Sequence, residues 1–284
     1  MRRYCSHAVF FVVLSLALLG AGCTAEPDRL VLATTTSTYD SGLLDEILPD
    51  FESSHAVQID VIAVGTGQAI ALGERGDADV LLVHDKEKEL AFVERGFGVE
   101  RVPVMYNDFI IVGPQDDSAG LEGIQDAVTA FRKIAENKAT FVSRGDQSGT
   151  HARELLIWRF TGIEPTSSMD WYLSIGQGMG ETLQFAEEIN AYTLTDRGTY
   201  LSLSESLEDL KVVVGGAFIE YNPDPILINE YSAIAVIPGG QTGGPSDIAT
   251  DFVKWLVSAE TQERIARFMK FGQSLFLPIK STQS

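Results

Sequence analysis

Cysteine is almost absent from the 284-residue chain, which contains only Cys5 and Cys23. Cys5 lies in an N-terminal segment that has the features of a cleaved export signal, so one cysteine remains in the mature protein. A single cysteine cannot form an internal disulfide, which excludes a disulfide-stabilised scaffold. An unpaired cysteine in an exported protein needs another role, and lipidation of Cys23 would supply one.

The export signal begins with Arg2 and Arg3, continues as an apolar run over 8–19 and ends in small residues before Cys23. The run is too short to cross a hydrocarbon layer of about 30 Å comfortably. Residues 20–23 resemble a bacterial lipobox, although Gly20 stands where a branched aliphatic residue is usual. We predict that residues 1–22 are a signal peptide and that lipidated Cys23 anchors the protein to the outer face of a bacterial membrane. Cleavage to a soluble exported product is the alternative.

Basic residues are also scarce: 21 Lys and Arg face 40 Asp and Glu, for a formal net charge of −19. Nucleic-acid binding needs clustered Lys and Arg, so it is not indicated. The four histidines, at 6, 55, 84 and 151, show no i, i+4 spacing, which leaves a metal-ion site without support. No Walker lysine and no Gly-x-Gly-x-x-Gly motif follows a predicted strand, so a nucleotide is not indicated either.

Short β-branched runs alternate with helical patterns along the chain. Strands are predicted at 30–33, 57–64 and 79–83, with helices over 42–52 and 68–74 between them. The alternation returns with strands at 109–112, 140–143, 191–195, 211–214 and 233–237, helices at 124–137, 152–161 and 181–189, and one closing helix over 246–269. This order, over the about 260 residues of the mature chain, predicts an α/β fold of two lobes, each with a mostly parallel sheet flanked by helices.

Four polar loops join predicted strands to predicted helices. They span residues 34–38, 65–68, 144–150 and 176–180 and are rich in Gly, Ser and Thr. A helix N-terminus carries unpaired N–H groups and partial positive charge. Glycine lets a ligand approach the backbone, and hydroxyls add donors. Because such loops meet at the carboxyl ends of parallel strands, the pattern predicts an anion site.

The loop SRGDQSGTH, residues 143–151, supports three interpretations. Ser148, Asp146 and His151 could form a serine hydrolase triad, but the spacing differs from the Gly-x-Ser-x-Gly elbow. The tripeptide 144–146 could mediate adhesion, which requires an exposed flexible loop rather than a strand-to-helix junction. The third interpretation is an anion-binding loop in which Arg144 offers bidentate charge-assisted bonds, and the neighbouring loops favour it. A hydrolase using Ser148 is the remote alternative.

These motifs together resemble the substrate-binding lipoproteins of tungstate ABC importers. The most specific stretches are ATTTS at 33–37, VGTGQ at 64–68 and SRGDQSGTH, and further similar stretches lie at 78–84, 105–109, 176–183 and 192–198. The resemblance covers nearly the whole mature chain. Phosphate-binding proteins have a similar Arg-x-Asp-x-Ser-Gly-Thr loop, so that loop by itself indicates only a tetrahedral oxyanion.

The resemblance implies a type II periplasmic binding protein whose two lobes close over the ligand. Lobe 1 would comprise residues 23–106 and 230–284 and lobe 2 residues 107–229, with crossings near 106–107 and 229–231. Such a protein is not an enzyme, needs no cofactor and is expected to be a monomer. It would bind tungstate and deliver it to an ABC permease with its ATPase; molybdate, sulfate and phosphate are alternative ligands.

The predicted oxyanion-binding residues are Thr35, Thr36, Ser37, Thr66, Gly67, Arg144, Ser148, Gly149 and Thr150. Tungstate carries no proton near neutral pH, so its site should contain donors only, and several charge-assisted bonds must offset its desolvation. A carboxylate facing the anion would repel it. We therefore predict that Asp146 turns away from the ligand, either capping the following helix or orienting Arg144.

Overall fold

The computed structural model describes residues 28–240 and 244–279. The predicted signal peptide and Cys23 lie outside these residues. The strands are β1 (Asp28–Thr35), β2 (Val57–Val64), β3 (Val80–Val83), β4 (Val102–Pro114), β5 (Phe141–Ser143), β6 (Tyr172–Ser174), β7 (Thr193–Asp196), β8 (Leu210–Val214), β9 (Ile228–Ala235), β10 (Met269–Lys270), β11 (Gln273–Ser274) and β12 (Leu277–Pro278). The α-helices are α1 (Thr36–Asp40), α2 (Leu43–His55), α3 (Thr66–Arg75), α4 (Lys86–Glu94), α5 (Ala127–Asn137), α6 (Gly149–Thr161), α7 (Met179–Glu188), α8 (Arg197–Leu203), α9 (Asp247–Leu256) and α10 (Ala259–Arg267).

Two groups of strands share the long strand β4. In the first strand group, β1 pairs in parallel with β2 and β3, and β9 joins β3 and the first half of β4 in antiparallel fashion. In the second strand group, β7 and β8 pair antiparallel with the second half of β4. β5 pairs in parallel with β6, and the N–H of Val142 in β5 donates to the carbonyl of Tyr192 just before β7. The expected α/β organisation is present, and the crossing strands add antiparallel pairs to it.

Side-chain alternation places a core on each face of each strand group. Leu30 and Leu32 of β1 point into one core and Ala33 into another. Along β4, Phe109 and Ile111 face a third core, while Ile110 and Val112 face a fourth. Because successive strand residues point to opposite faces, helices can cover both sides. Each strand group is thus covered by its own pair of cores, and Leu201 of α8 also packs against a core of the first group.

Two predicted elements differ from the structure. The single closing helix predicted over 246–269 is two helices, α9 and α10. Ser258 separates them, because its side chain caps α10 by accepting the N–H of Thr261. β4 extends well beyond the predicted strand at 109–112. Its N-terminal half includes Asn107 and Asp108, whose polar side chains interrupt the apolar pattern on which the prediction depended.

A buried ion pair fixes the second strand group beside the point where β4 passes between the groups. Arg197, 3% exposed at the start of α8, donates through Nε and Nη2 to Asp108, 1% exposed, at 2.6–3.2 Å. It also donates to the carbonyls of Gly215, Gly216 and Ala217. A guanidinium with five N–H groups can satisfy this many acceptors at once, which ties α8, β4 and the turn after β8 together.

Another buried acid stands behind the third polar loop. Glu154 of α6 accepts bonds from Ser143 Oγ (2.7 Å), Tyr172 OH (2.7 Å) and Trp158 Nε1 (3.2 Å). Burial raises the pKa of Glu154 to about 7, against these three hydrogen bonds. The carboxyl group therefore joins α6 to the ends of β5 and β6, directly before Arg144.

Replacing Arg197 by Met should lower the free energy of unfolding by about 3–5 kcal/mol, because it leaves the Asp108 carboxylate buried without its cation. Arg267→Met is the matched control: Arg267 is 76% exposed and pairs with Glu263 on the surface, so about 1 kcal/mol or less should be lost. Chemical denaturation of both variants measures the difference. Equal losses of unfolding free energy in the two variants would show that the buried ion pair stabilises the fold no more than the exposed one does.

Glu154 should make stability depend on pH with a defined sign. Its folded-state pKa of about 7 lies above the ordinary value of 4.5, so folding favours the protonated form. The stabilisation is complete at low pH and is lost as pH rises through the folded pKa. The unfolding free energy of the native protein, relative to Glu154→Gln, should therefore fall between about pH 5 and pH 8. A constant difference over that range would contradict the prediction.

Candidate functional site

The first polar loop separates supporting hydroxyls from accessible ones. Thr34 Oγ1 donates to the carbonyl of Leu82 (2.8 Å), and Thr35 Oγ1 lies 2.7 Å from Thr38 Oγ1. These three side chains are buried, and Thr35 caps α1 by accepting the N–H of Thr38. Thr36 and Ser37 are exposed. Of the predicted residues here, Thr35 thus holds the loop in shape and Thr36 and Ser37 face outward.

The second polar loop presents backbone donors. α3 begins at Thr66 after Gly65, which has no side chain to cap the helix; its carbonyl accepts the N–H groups of Gln68 and Ala69. Among the described residues, no acceptor is recorded for the N–H groups of Thr66 and Gly67. A Cβ atom added at Gly65 or Gly67 would meet nothing within 4 Å, so the space before these donors is open. This is the geometry of an anion-binding helix start.

The third polar loop holds a guanidinium in place. Arg144 Nη2 donates to Asp146 Oδ2 at 2.5 Å, and Asp146 Oδ1 accepts the N–H of Ser148 at 3.1 Å. Burial alone would raise the pKa of Asp146, but the bonds from Ser148 and the charge of Arg144 hold it below its usual value. Asp146 therefore orients Arg144 and supports the turn before α6, as predicted. Arg144 Nε is buried and has no partner among the described residues.

Ser148 and His151 have structural roles at the start of α6. Ser148 Oγ caps the helix by accepting the backbone N–H of His151 (3.3 Å). His151 Nδ1 accepts the N–H of Gln147 (3.0 Å), and Asp146 is engaged by Arg144. The three side chains of the predicted hydrolase alternative are thus not linked in the order of a triad, in which the base contacts the nucleophile and the acid orients the base.

The fourth polar loop supports the third. The N–H groups of Ile175 and Gln177 donate to the carbonyls of Ser143 and Arg144, both at 3.1 Å. Gly145, at φ +63°, lies so close to Ser174 that a Cβ atom there would collide with its hydroxyl. The loop at 176–180 therefore fixes the backbone from which Arg144 projects, a role that the sequence left open.

Residues that the sequence analysis did not single out connect the loops. A Cβ atom added at Gly149 would lie 3.0 Å from His84 Cε1, so His84 of the first strand group contacts the start of α6 in the second. The His84 ring lies 4.7 Å from that of Tyr231, between centroids, and Tyr231 adjoins the hydroxyls of Ser37 and Thr38. Of the predicted residues, Ser37 in the first strand group and Gly149 in the second are therefore linked through Tyr231 and His84. His84 ends the similar stretch at 78–84 and Tyr231 lies in the crossing expected near 229–231, but no residue pattern at either position indicates that the two side chains meet.

The charges and donors of the polar loops suit an anion. The loops offer one oriented guanidinium, two helix starts and exposed hydroxyls, and both oxygens of Asp146, beside the guanidinium, are already engaged. Within residues 28–240 and 244–279, no group of three or more His, Cys, Asp or Glu side chains could hold a metal ion. In the same residues, no helix is both long and apolar enough to cross a membrane.

Comparison with known proteins agrees with this geometry. The PBP superfamily domain matches residues 22–260. The tungstate-binding protein TupA of Peptoclostridium acidaminophilum is 43% identical, over 98% of this chain and 99% of that protein. The structure of the tungstate-binding protein TupA from Desulfovibrio alaskensis G20 is 44% identical, covers 88% of this chain and 98% of its own, and has a TM-score of 0.79.

A second solved structure, that of the tungstate ABC transporter from Geobacter sulfurreducens, is 45% identical over 84% of this chain and 98% of its own, with a TM-score of 0.71. The two-lobed α/β fold predicted from the sequence is thereby confirmed as the type II periplasmic binding fold. The chain belongs to the PBP superfamily and, within it, to the family of the TupA tungstate-binding proteins.

Proposed function

We propose that this protein captures tungstate outside the cytoplasm and delivers it to an ABC permease with its ATPase. Its TupA relatives are tungstate-binding proteins, and one similar structure is that of a tungstate ABC transporter. The observation that carries the proposal is the oriented Arg144 guanidinium, whose buried Nε has no partner among the described residues. The protein binds and releases its ligand without chemical change, and tungstate is its ligand rather than a cofactor.

The proposed contacts come from two sides of the cleft. Thr35, Thr36 and Ser37 offer hydroxyls, and Thr66 and Gly67 offer the N–H groups of a helix start. Arg144, Ser148, Gly149 and Thr150 offer the guanidinium, a hydroxyl and a second helix start. Backbone N–H groups at a helix start favour negative charge, and each charge-assisted bond is stronger than a neutral one.

The proposed lobes are those expected from the sequence, 23–106 with 230–284 and 107–229. In support, the pairing of β4 changes from β9 to β7 after Asp108, and β9 begins at Ile228. The two polypeptide crossings are thus adjacent antiparallel strands, a suitable hinge. The anion would bind between the lobes, and the closed form would be the one presented to the permease.

Selection against phosphate follows from the absence of a free acceptor in the proposed contact set. Near neutral pH phosphate retains a proton that a carboxylate can accept, whereas tungstate has none. Both oxygens of Asp146 are engaged within the loop, so the set presents no free carboxylate to accept that proton. Molybdate has the same charge and shape as tungstate and is the first alternative ligand, before sulfate.

We further propose that residues 1–22 are removed and that Cys23 carries a lipid anchor, which keeps a monomeric binding protein beside its permease. The basic start, the apolar run and the small residues before Cys23 support this assignment. Two acyl chains hold a protein on a membrane far better than one does, so a lipobox cysteine is suited to the role.

Arg144→Ala should weaken tungstate binding about 10- to 100-fold, since a hydrogen bond to a charged group contributes roughly 1.5–3 kcal/mol. Titration calorimetry of the native and variant proteins with tungstate measures the change. Arg159→Ala is the matched control, because Arg159 lies on the exposed surface of the same helix α6 and should leave the affinity unchanged. An unchanged affinity for Arg144→Ala would remove Arg144 from the site.

A further inference from the structure

One side chain of the first strand group touches the bare backbone of the second beside the proposed site. His84 follows β3, and a Cβ atom added at Gly149, the first residue of α6, would lie 3.0 Å from His84 Cε1. The same atom would be 3.7 Å from Nδ1 and 4.0 Å from Nε2, so the ring presents its C–H edge to the glycine. Carbon atoms in good van der Waals contact are about 3.5–4.0 Å apart, so a larger residue at position 149 requires movement.

The His84 ring is held from behind. It packs against the ring of Tyr231, with 4.7 Å between centroids. Tyr231 is 1% exposed and lies edge-on to Phe276. The backbone around His84 is fixed as well, because β3 ends directly before it and Asp85 caps α4 by accepting the N–H of Lys88 at 3.2 Å. The ring therefore has little room to retreat from α6.

The start of α6 is fixed on its own side. Ser148 Oγ caps the helix by accepting the N–H of His151 at 3.3 Å, and the N–H of Ser148 donates to Asp146 Oδ1 at 3.1 Å. Gly149 lies directly after this cap, so two fixed surfaces meet there. Gly67 at the start of α3 differs, because a Cβ atom there would meet nothing within 4 Å. A glycine at such a helix start thus does not by itself imply a side chain packed against it.

His84 is an uncharged group at this contact. Burial lowers the pKa of His84 to about 4, so near neutral pH the imidazole carries no charge with which to attract an oxyanion. A charged imidazolium would also be disfavoured beside the partial positive charge of a helix start. The contact therefore limits how closely the two strand groups approach, rather than adding a charge to the site.

We propose that His84 is a positioning residue that seats on the bare backbone of Gly149 when the lobes close, and so sets the distance between them around the bound anion. Gly149 belongs to the proposed contacts of lobe 2, whereas His84 lies in lobe 1. Charge-assisted N–H bonds to an oxyanion are about 2.7–2.9 Å long, so donors on two lobes serve one anion only at a defined separation. This inference rests on the proposed function, because it assumes that an oxyanion is bound between the lobes.

The alternative is that position 149 must be glycine only because the anion approaches its N–H group. A Cβ atom would then obstruct the anion whatever residue occupies position 84. The added methyl group should not harm α6 itself, because alanine has a higher helix propensity than glycine. Gly180→Ala is the matched control: Gly180 lies in the first turn of α7, where a Cβ atom would be 3.8 Å from Leu203 Cδ1, an ordinary contact.

The experiment is a double-mutant cycle on tungstate affinity, measured by titration calorimetry with Gly149→Ala, His84→Ala and both changes together. Gly149→Ala should weaken binding about tenfold, because overpacking against the ring holds the lobes apart, and Gly180→Ala should leave the affinity unchanged. In the His84→Ala background the cost of Gly149→Ala should fall below about threefold, since the methyl group then enters the space that the ring has left.

A cost of Gly149→Ala that is the same in both backgrounds would overturn the proposal, because an obstructed anion predicts additive losses. If the native protein binds neither tungstate nor molybdate, the proposed function is overturned and this inference with it. Chemical denaturation of the ligand-free variants checks that each of them folds. Should His84→Ala not fold, His84→Ser vacates the same space and should reduce the cost of Gly149→Ala in the same way.

Discussion

Desolvation of a doubly charged oxyanion is the physical constraint on which the proposed site depends. An anion that leaves water must recover its hydrogen bonds from fixed donors, and each acceptor facing it works against binding. The loop after β5 meets this constraint with one ion pair. Asp146 engages Arg144 and the N–H of Ser148, so both carboxylate oxygens are occupied inside the loop, beside the guanidinium that we propose binds the anion.

The fold supplies the remaining donors at low conformational cost. Each polar loop follows a strand and precedes a helix, so its backbone is held at both ends. The second and third loops expose N–H groups whose direction is fixed by α3 and α6. Such donors need no reorganisation on binding, unlike long flexible side chains. The glycine-rich fourth loop, for which we propose no contact with the anion, stabilises the third through backbone bonds to Ser143 and Arg144.

The crossing strands carry polar contacts next to the proposed site. β4 and β9 are neighbours in the sheet, where Asn229 of β9 donates to Asn107 of β4 and Asn107 donates to Tyr231. His84 contacts Gly149 at the start of α6, and Tyr231 adjoins Ser37. A rotation of one lobe against the other would change the first of these contacts. The same side chains that span the hinge therefore adjoin residues on both sides of the proposed site.

Much of the fold was predictable because it depends on local patterns. The apolar periodicity of α2 and the strand runs at 30–33 and 57–64 identified the first strand group, and the four Gly- and hydroxyl-rich loops identified helix starts. The pairing of Asp146 with Arg144 followed from the requirement for donors. The sequence could not show that β4 continues through Asn107 and Asp108, because long-range pairing with β9 overrides their low strand propensity. The roles of His84 and Tyr231 depend on contacts between segments about 150 residues apart, which no local pattern encodes.

The most direct test of the central claim is titration calorimetry of the purified protein with tungstate, molybdate, sulfate and phosphate, each near neutral pH. A site without a free carboxylate should bind tungstate tightly, molybdate comparably or less tightly, and phosphate far more weakly, because phosphate keeps a proton that a carboxylate would accept best. Tight binding of phosphate together with weak binding of tungstate would contradict the claim.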